Sequence, residues 1–309
     1  MPTMRDVFWN EIYEFAKENR NIVILSADFA APSLDKFRLQ LPNQFINLGI
    51  SEQNMILVAT GMALEGKIPF CYAIAPFITM RCFEQTRLYA AGMKLPITLV
   101  GVGAGFAYSD SGYTHHALED ISIMRTLPNM KIFQPSDNAT TKIMAKLSLE
   151  SNSPVYLRLD RYGEENLIGD TSNVANGLSV VRAVQKTTIL ASGNMLINAL
   201  KVADILKEKN VVVGVVDACI FPIDKTQFQK IFAKVENLIT LEEHTLNGGI
   251  GSNVLELISD LNMNIRVKRL GLDLSQGYSK EYGGRLLLQN FYGIDPDTIV
   301  LKILDYNNR

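Results

Sequence analysis

The sequence is poor in several residue types, and each shortage excludes a class of protein. Cysteine occurs only three times in 309 residues, as Cys71, Cys82 and Cys219. Their odd number and wide spacing give neither a disulfide framework nor a zinc pattern, so we expect a reducing, cytoplasmic location. No apolar run reaches the roughly 18 residues that a membrane span needs, and the first residues lack the apolar core of a signal peptide. A membrane is therefore not an expected partner.

An excess of one charge is also missing. Lysine and arginine number 30 against 32 aspartate and glutamate residues, which gives a net charge of −2. Such a chain has no overall field to attract nucleic acid, and it lacks a lysine and arginine cluster suited to a phosphate backbone. Histidine occurs three times, and the adjacent His115 and His116 have no third ligand at a metal-like spacing. We expect neither nucleic acid nor a metal ion on this chain.

What the sequence does contain is a regular alternation of helical and strand patterns. A hydrophobic content of 47% supports full cores, and 309 residues suit about two domains. The alternation predicts an α/β fold with two open α/β domains, each with a mainly parallel sheet. The pattern lapses into polar, turn-forming residues after Tyr162. We therefore expect a first domain at residues 1–165, a linker at 166–182 and a second domain at 183–309.

The most informative stretch covers residues 47–55. A short apolar strand ends there, Gly49 permits a sharp turn, and Ser51 is placed to cap the helix that follows. Glu52 then lies in the first turn of that helix, at the carboxyl end of a strand, where open α/β sheets bind ligands. The alternative is that Glu52 only complements the helix dipole.

Three further segments, together with this stretch, resemble the transketolase family of thiamine diphosphate enzymes. They cover residues 25–33, 77–85 and 112–120. The resemblance extends over nearly the whole chain and is most specific over residues 1–165. It implies a thiamine diphosphate pyrimidine-binding domain followed by a transketolase C-terminal domain.

The resemblance also implies roles for individual residues around a bound cofactor. Glu52 would be a catalytic residue that bonds the aminopyrimidine ring of thiamine diphosphate. Phe77 would stack on that ring, Asp28 would approach the thiazolium side, and Ile50 and Arg81 would complete the cofactor-binding set. Taken alone, Phe77 is equally compatible with a core aromatic, and Asp28 with a cap for the segment after its strand.

A second set of implied residues concerns the substrate. The Gly-Tyr-Thr-His run that ends at His115 resembles the family's Gly-Pro-Thr-His motif, which implies that His115 is catalytic and donates a hydrogen bond to a developing alkoxide. Arg5, Ser33 and Arg161 match positions that hold a substrate phosphate, a task that suits the planar donor fork of arginine. Asp110 would replace the family's aspartate that meets a sugar hydroxyl.

One family feature is absent from the sequence. The Gly-Asp-Gly motif and its later Asn, which hold the cofactor's diphosphate through Mg²⁺ (or Ca²⁺), have no counterpart here. The chain therefore resembles the C-terminal subunit of a split transketolase. The resemblance implies a partner chain, an N-terminal subunit with Gly-Asp-Gly…Asn, that carries the metal and shares the cofactor in an α2β2 heterotetramer.

The implied activity is the transfer of a two-carbon ketol unit from a ketose, expected to be phosphorylated, to an aldose. Two related activities stay open, namely a 1-deoxyxylulose-5-phosphate-synthase-like enzyme, which shares the pattern at residues 81–85, and the β subunit of a 2-oxo acid dehydrogenase. The run at residues 115–120 favours transketolase over both. A catalytically silent scaffold subunit is the alternative from another class. All the motifs precede Tyr162, so the second domain is expected to serve mainly assembly.

Overall fold

The computed structural model describes residues 2–29, 31–163 and 166–307. The helices are α1 (Met4–Glu18), α2 (Asp35–Gln40), α3 (Glu52–Leu64), α4 (Phe83–Gln85), α5 (Asp120–Met124), α6 (Asn138–Leu149), α7 (Met195–Glu208), α8 (Lys225–Phe232), α9 (Ile250–Asp260), α10 (Arg285–Phe291) and α11 (Pro296–Asn307). The strands are β1 (Ile22–Ser26), β2 (Phe45–Asn47), β3 (Ile68–Ile74), β4 (Thr98–Val102), β5 (Lys131–Phe133), β6 (Val155–Leu159), β7 (Leu178–Arg182), β8 (Thr187–Ala191), β9 (Gly214–Ala218), β10 (Ile220–Phe221), β11 (Asn237–Thr245) and β12 (Arg266–Leu272).

Two sheets organise the chain. The N-terminal unit, up to residue 163, contributes β1 to β6 to a 7-stranded sheet in the order β10-β5-β6-β4-β3-β1-β2. The C-terminal unit, from residue 166, forms a 5-stranded sheet in the order β12-β11-β8-β9-β7. All pairs are parallel except β10 with β5 and β7 with β9. The prediction of two α/β domains with mainly parallel sheets is confirmed.

Strand β1 shows why this sheet forms in the interior. All five of its residues are buried, and its side chains alternate between two apolar clusters. Val23 and Leu25 join one cluster, whereas Ile22 and Ile24 join the other. A strand covered by helices on both faces is apolar throughout, as is usual in parallel sheets.

The parallel register places the carboxyl ends of the strands at one edge of the first sheet. Ser26, the last residue of β1, lies opposite Asn47 on β2 and Tyr72 on β3. Val102, the last residue of β4, lies opposite Leu159, the last residue of β6. The loops that follow β1, β2, β3, β4 and β6 therefore gather at this edge, where ligands bind in open α/β sheets.

The structure differs from the sequence expectations at several elements. Strand β7 lies inside residues 166–182, the stretch expected to be a linker, and adds an antiparallel edge to the second sheet. The elements α2, α8, β10 and α11 were not predicted from the sequence. Residues 77–91 do not form one regular helix, because π-helical segments, Phe77–Arg81 and Thr86–Ala91, lie on either side of α4. The domain boundary expected at residue 165 lies outside the described residues.

A buried ion pair lies between the two units. The side chains of Arg158 on β6 and Asp120 at the start of α5 are both 0% exposed, with Nε 2.7 Å from Oδ2. Tyr156 donates its hydroxyl to the same carboxylate oxygen at 2.6 Å. Arg158 Nη2 donates to the carbonyls of Ala117 in the N-terminal unit and Glu243 on β11 of the C-terminal unit. One guanidinium thus ties the two units together through their interior.

Replacing Arg158 with Met should lower the free energy of unfolding by about 3–5 kcal/mol, because Asp120 would be left buried without its charged partner. Urea unfolding measures this change. Lys186→Met is the control, since Lys186 and Glu236 form an exposed pair with side-chain exposures of 79% and 61%. The control should leave stability nearly unchanged. Similar small effects for both variants would contradict a stabilising role for the buried pair.

Candidate functional site

A pocket of about 300 Å³ opens at the carboxyl edge of the first sheet. Its lining consists of Ala27, Asp28, Phe29, Ile50, Glu52, Ala73, Ile74, Phe77 and Arg81. The structure therefore brings together all five residues that the sequence analysis assigned to cofactor binding. Larger cavities of about 450 and 600 Å³ lie along β5 and β10 and contain none of these five.

The turn before Glu52 is built around one asparagine side chain. Asn47 Oδ1 accepts hydrogen bonds from the backbone N–H groups of Gly49 and Asp28, at 3.0 and 3.1 Å, and its Nδ2 donates to Asp28 Oδ1 at 3.0 Å. Gly49 has a φ of +70°, which glycine adopts without strain. Asn47 thus fixes the loop after β1 to the turn after β2, and it places Asp28 beside Glu52.

The expectation that Ser51 caps α3 is wrong. No side-chain cap bond is present at this helix start, and the hydroxyl of Ser51 instead donates to the carbonyl of Leu48 at 2.8 Å. The backbone of Ser51, with φ −148° and ψ 60°, directs the hydroxyl back into the turn. Ser51 therefore stabilises the turn that presents Glu52 rather than the helix itself.

Glu52 is a buried carboxylate with one charged partner. Glu52 is 3% exposed, and Arg81 Nη1 lies 2.9 and 3.0 Å from its two carboxylate oxygens. The guanidinium of Arg81 also lies over the ring of Phe77, 4.1 Å from its centroid. Phe77 and Arg81 are the first and last residues of one π-helical segment, a backbone irregularity that is frequent at functional sites. Arg81 therefore contacts both the carboxylate and the aromatic ring that line the pocket.

His115 lies next to this pocket. Its ring centroid is 5.2 Å from that of Phe77 in an edge contact and 6.4 Å from that of Tyr108. The hydroxyl of Thr114 is 3.0 Å from its Nδ1. The guanidinium of Arg161 lies over the ring of Tyr108, 5.1 Å from its centroid. A continuous row thus leads from the carboxylate pocket past His115 to Arg161.

The remaining predicted substrate residues lie around Tyr108. Burial raises the pKa of the Tyr108 hydroxyl, while the charges of Arg161 and Arg5 oppose this rise and that of Asp110 adds to it. Ser33 donates its hydroxyl to Asp6 Oδ1 at 2.9 Å, and Arg5 Nε lies 3.4 Å from the same oxygen. Tyr108 and Asp6 were missed from the sequence, because neither belongs to a motif. Their roles are visible only through the residues that they contact.

Asp6 keeps its negative charge in this setting. Burial alone would raise the pKa of its carboxyl group, but hydrogen bonds from Thr3 and Ser33 and the charge of Arg5 together lower it. Thr3 donates to Oδ2 at 2.7 Å. Arg5 and Ser33 are thus held by a charged carboxylate at the start of α1, and that carboxylate partly neutralises Arg5.

The C-terminal unit also reaches this site. Tyr278 stacks on Tyr113, with centroids 5.3 Å apart and an interplanar angle of 1°, and its hydroxyl donates to Glu119 Oε1 at 2.6 Å. A Cβ atom at Gly112 would lie 2.7 Å from the hydroxyl of Tyr282. The loop that carries His115 therefore packs against residues 278–282, a contact that no local sequence signal indicates.

The other two histidines are buried in the structure. His116 packs edge-on against Phe106, with centroids 5.1 Å apart, and burial lowers its pKa. His244 is 0% exposed, and burial lowers its pKa to about 4. Over residues 2–29, 31–163 and 166–307, His, Cys, Asp and Glu side chains form no group of three or more that could hold a metal ion.

Both parts of the chain are similar to known domain families. Residues 1–163 match the family model of the transketolase pyrimidine binding domain, and residues 177–299 match that of the transketolase C-terminal domain. Among the described residues, no helix is both long and apolar enough to cross a membrane.

Individual relatives carry the same family name or a related one. A Methanocaldococcus jannaschii protein, described as the C-terminal section of a transketolase, is 32% identical over 98% of this chain and 95% of its own length. A 1-deoxy-D-xylulose-5-phosphate synthase from Clostridium kluyveri is 30% identical over 98% of this chain but only 48% of its own length.

A solved structure agrees with these matches. It is described as a split-gene transketolase in the form of an inactive β4 tetramer, and it is 32% identical to this chain with a TM-score of 0.85. The alignment covers 98% of this chain and 97% of that one. The two family models together account for most of the sequence, in the same order as the two sheets. The chain belongs to the transketolase family of thiamine diphosphate-dependent enzymes.

Proposed function

We propose that this chain is the pyrimidine-binding and C-terminal subunit of a two-chain transketolase, which transfers a two-carbon ketol unit from a ketose to an aldose. The observation that carries the proposal is the pocket in which the buried carboxylate of Glu52 lies beside the aromatic face of Phe77. A flat heterocycle with ring nitrogens and an amino group fits such a pocket, since it stacks on one group and hydrogen-bonds the other.

Thiamine diphosphate, when bound, supplies the carbon centre that accepts and then donates the two-carbon unit. The protein's part is to bind, orient and exchange protons. Glu52 holds a proton at the aminopyrimidine ring and is the catalytic carboxylate, while Phe77, Ile50 and Asp28 bound the space for the two rings. Arg81 completes this set, because it compensates the buried charge of Glu52 at 2.9 Å.

The substrate would extend along the row of side chains beside the pocket. His115 is near enough to Phe77 to reach a sugar oxygen at the reacting carbon, where a donated hydrogen bond stabilises developing charge. Arg161, Arg5 and Ser33 lie further along, around Tyr108, and suit a sugar phosphate. Asp110, which is exposed on the loop that carries Tyr108, would bind a sugar hydroxyl.

The partner is a chain that carries Gly-Asp-Gly…Asn and, through it, Mg²⁺ or Ca²⁺ and the diphosphate, in an α2β2 assembly. The open side of the pocket supports a protein partner, because Ile50, an apolar residue that lines the pocket, is 75% exposed. The solved relative, itself described as an inactive β4 tetramer, supports the need for a second chain.

A 1-deoxyxylulose-5-phosphate synthase activity is the second candidate, favoured by the relative of that name. It shares the pocket and differs in the donor and product, so an assay for 1-deoxyxylulose 5-phosphate distinguishes the two.

The dehydrogenase and scaffold alternatives have weaker support. A scaffold subunit would not need a buried carboxylate in a pocket, and Glu52 is only 3% exposed. The free thiols of all three cysteines suit the cytoplasm as the site of action.

The chain alone should be inactive and should gain activity with its partner, because half of the cofactor site lies on the other chain. Purified protein is assayed with thiamine diphosphate, Mg²⁺ and a panel of ketoses and aldoses, with and without a Gly-Asp-Gly subunit. The partner alone is the control. Robust ketol transfer by the single chain would contradict the proposal.

Glu52→Gln should leave folding and assembly intact and reduce kcat by roughly a hundredfold or more, since an amide cannot take and return a proton. Glu84→Gln removes a nearby exposed carboxylate and is the matched control, with kcat expected within about threefold. Near-normal turnover of Glu52→Gln at saturating cofactor would show that Glu52 serves only the local structure.

Arg161→Ala should raise KM for a phosphorylated sugar by about ten- to a hundredfold, because a phosphate contact present in both ground and transition states appears chiefly in KM. The unphosphorylated sugar should hardly change. Arg38→Ala, which removes a partly exposed arginine on α2 paired with Asp35, is the control. Equal losses with both sugars would mean that Arg161 supports the fold instead of a phosphate.

A further inference from the structure

Arg285, the first residue of α10, extends from the C-terminal unit into the loops of the first sheet. Its Nε donates to both oxygens of Glu243, at 3.0 and 3.1 Å. Its Nη2 donates to Glu243 Oε2 at 2.7 Å and to the carbonyl of Ala104 at 3.1 Å. The same nitrogen forms an ion pair with Asp160 Oδ2 at 2.7 Å. Glu243 and Asp160 have side-chain exposures of 0% and 5%, and that of Arg285 is 16%.

The two loops held by Arg285 follow neighbouring strands. Ala104 lies in the loop after β4, and Asp160 is the residue directly after β6 and directly before Arg161. β4 and β6 are paired up to Val102 and Leu159, so both loops leave the sheet side by side. Arg285, a side chain of the C-terminal unit, therefore contacts both of the loops that surround Arg161.

The loop after β4 is shaped to receive this contact. Gly105 has a φ of +56°, and a Cβ atom there would lie 2.0 Å from Glu243 Oε2. The N–H of Phe106 donates to the same oxygen at 2.9 Å. At Gly103, with a φ of +101°, a Cβ atom would lie 2.4 Å from the ring of Tyr108. Gly105 thus leaves space for the carboxylate of Glu243, and Gly103 leaves space for the ring of Tyr108, over which Arg161 lies.

We propose that Arg285 is a positioning residue for the anion-binding side of the substrate site, an inference that rests on the function proposed above. A planar guanidinium can bind a carboxylate, a carbonyl and a second carboxylate in one fixed geometry, which a lysine ammonium cannot reproduce. Arg285 holds the carbonyl of Ala104 in the loop that leads to Tyr108 and the carboxylate of Asp160 next to Arg161, so that Arg161 stays over the Tyr108 ring. The C-terminal unit then sets the affinity for the charged end of the sugar.

Arg125 offers a matched control. It also crosses between the units, since its Nη1 donates to the carbonyl of Gly248 at 3.2 Å and its guanidinium pairs with Glu256. Arg125 thus resembles Arg285 in residue type, carboxylate partner and carbonyl partner. It follows α5 and lines the cavity next to β5 and β10, and it contacts neither Ala104 nor Asp160.

The experiment compares Arg285→Lys with Arg125→Lys, each assembled with the diphosphate-domain partner. Arg285→Lys should raise KM for a phosphorylated donor about tenfold and change kcat less than about threefold, with little effect on the unphosphorylated donor. Backbone amide exchange should increase at residues 103–106 and 160–163 and stay unchanged in α7 and α9. Arg125→Lys should alter neither the KM ratio nor the exchange at these loops.

Other outcomes overturn the proposal. Equal KM changes for both donors, or faster exchange throughout the C-terminal unit, would show that Arg285 only stabilises the fold. If Arg285→Lys does not fold, Glu243→Gln weakens the same contact by removing one negative charge while it keeps the size of the side chain, and it should give the same pattern. If the wild-type pair transfers no ketol unit, the proposed function fails, while unchanged exchange at the two loops would still refute positioning by Arg285.

Discussion

The parallel register of β1, β2, β3, β4 and β6 is the constraint on which the rest of this structure depends. It brings the ends of five strands to one edge of a sheet, although the residues that follow them are far apart in the sequence. Asp28, Glu52, Phe77, Tyr108 and Arg161 come together for this reason. A helix covers each face, so the sheet edge is the place where polar side chains can meet without opening the core.

Three buried carboxylates at and behind this edge are each paired with the guanidinium of an arginine. Glu52 pairs with Arg81, Asp120 with Arg158, and Glu243 with Arg285. Isolated buried charges are costly, and the planar donor fork of arginine satisfies several acceptors at once. Two of these pairs, through Arg158 and Arg285, join the N-terminal and C-terminal units. The candidate pocket and the attachment of the second unit are therefore built from the same kind of contact.

The sequence predicted features that depend on local patterns and missed those that depend on distant contacts. Alternating helix and strand periods gave the two sheets, and the turn around Gly49 located Glu52. The contacts of Tyr278, Glu243 and Arg285 with the first unit join residues more than a hundred positions apart, and no periodicity marks such pairs. Ser51 was predicted to accept a hydrogen bond from the start of α3, whereas its hydroxyl donates to the carbonyl of Leu48, because one hydroxyl can serve a cap or a turn. The roles of the site residues stay predictions.

We propose that this chain contributes half of a thiamine diphosphate site, with Glu52 and Phe77 for the pyrimidine ring, and that another chain binds the diphosphate. Calorimetric titration of thiamine diphosphate with Mg²⁺ into the chain alone, a Gly-Asp-Gly partner alone and their equimolar mixture tests this directly. The account predicts tight, saturable binding only in the mixture, and a marked loss of that binding with Phe77→Ala. Tight binding to this chain alone, or binding in the mixture that Phe77→Ala leaves unchanged, would contradict it.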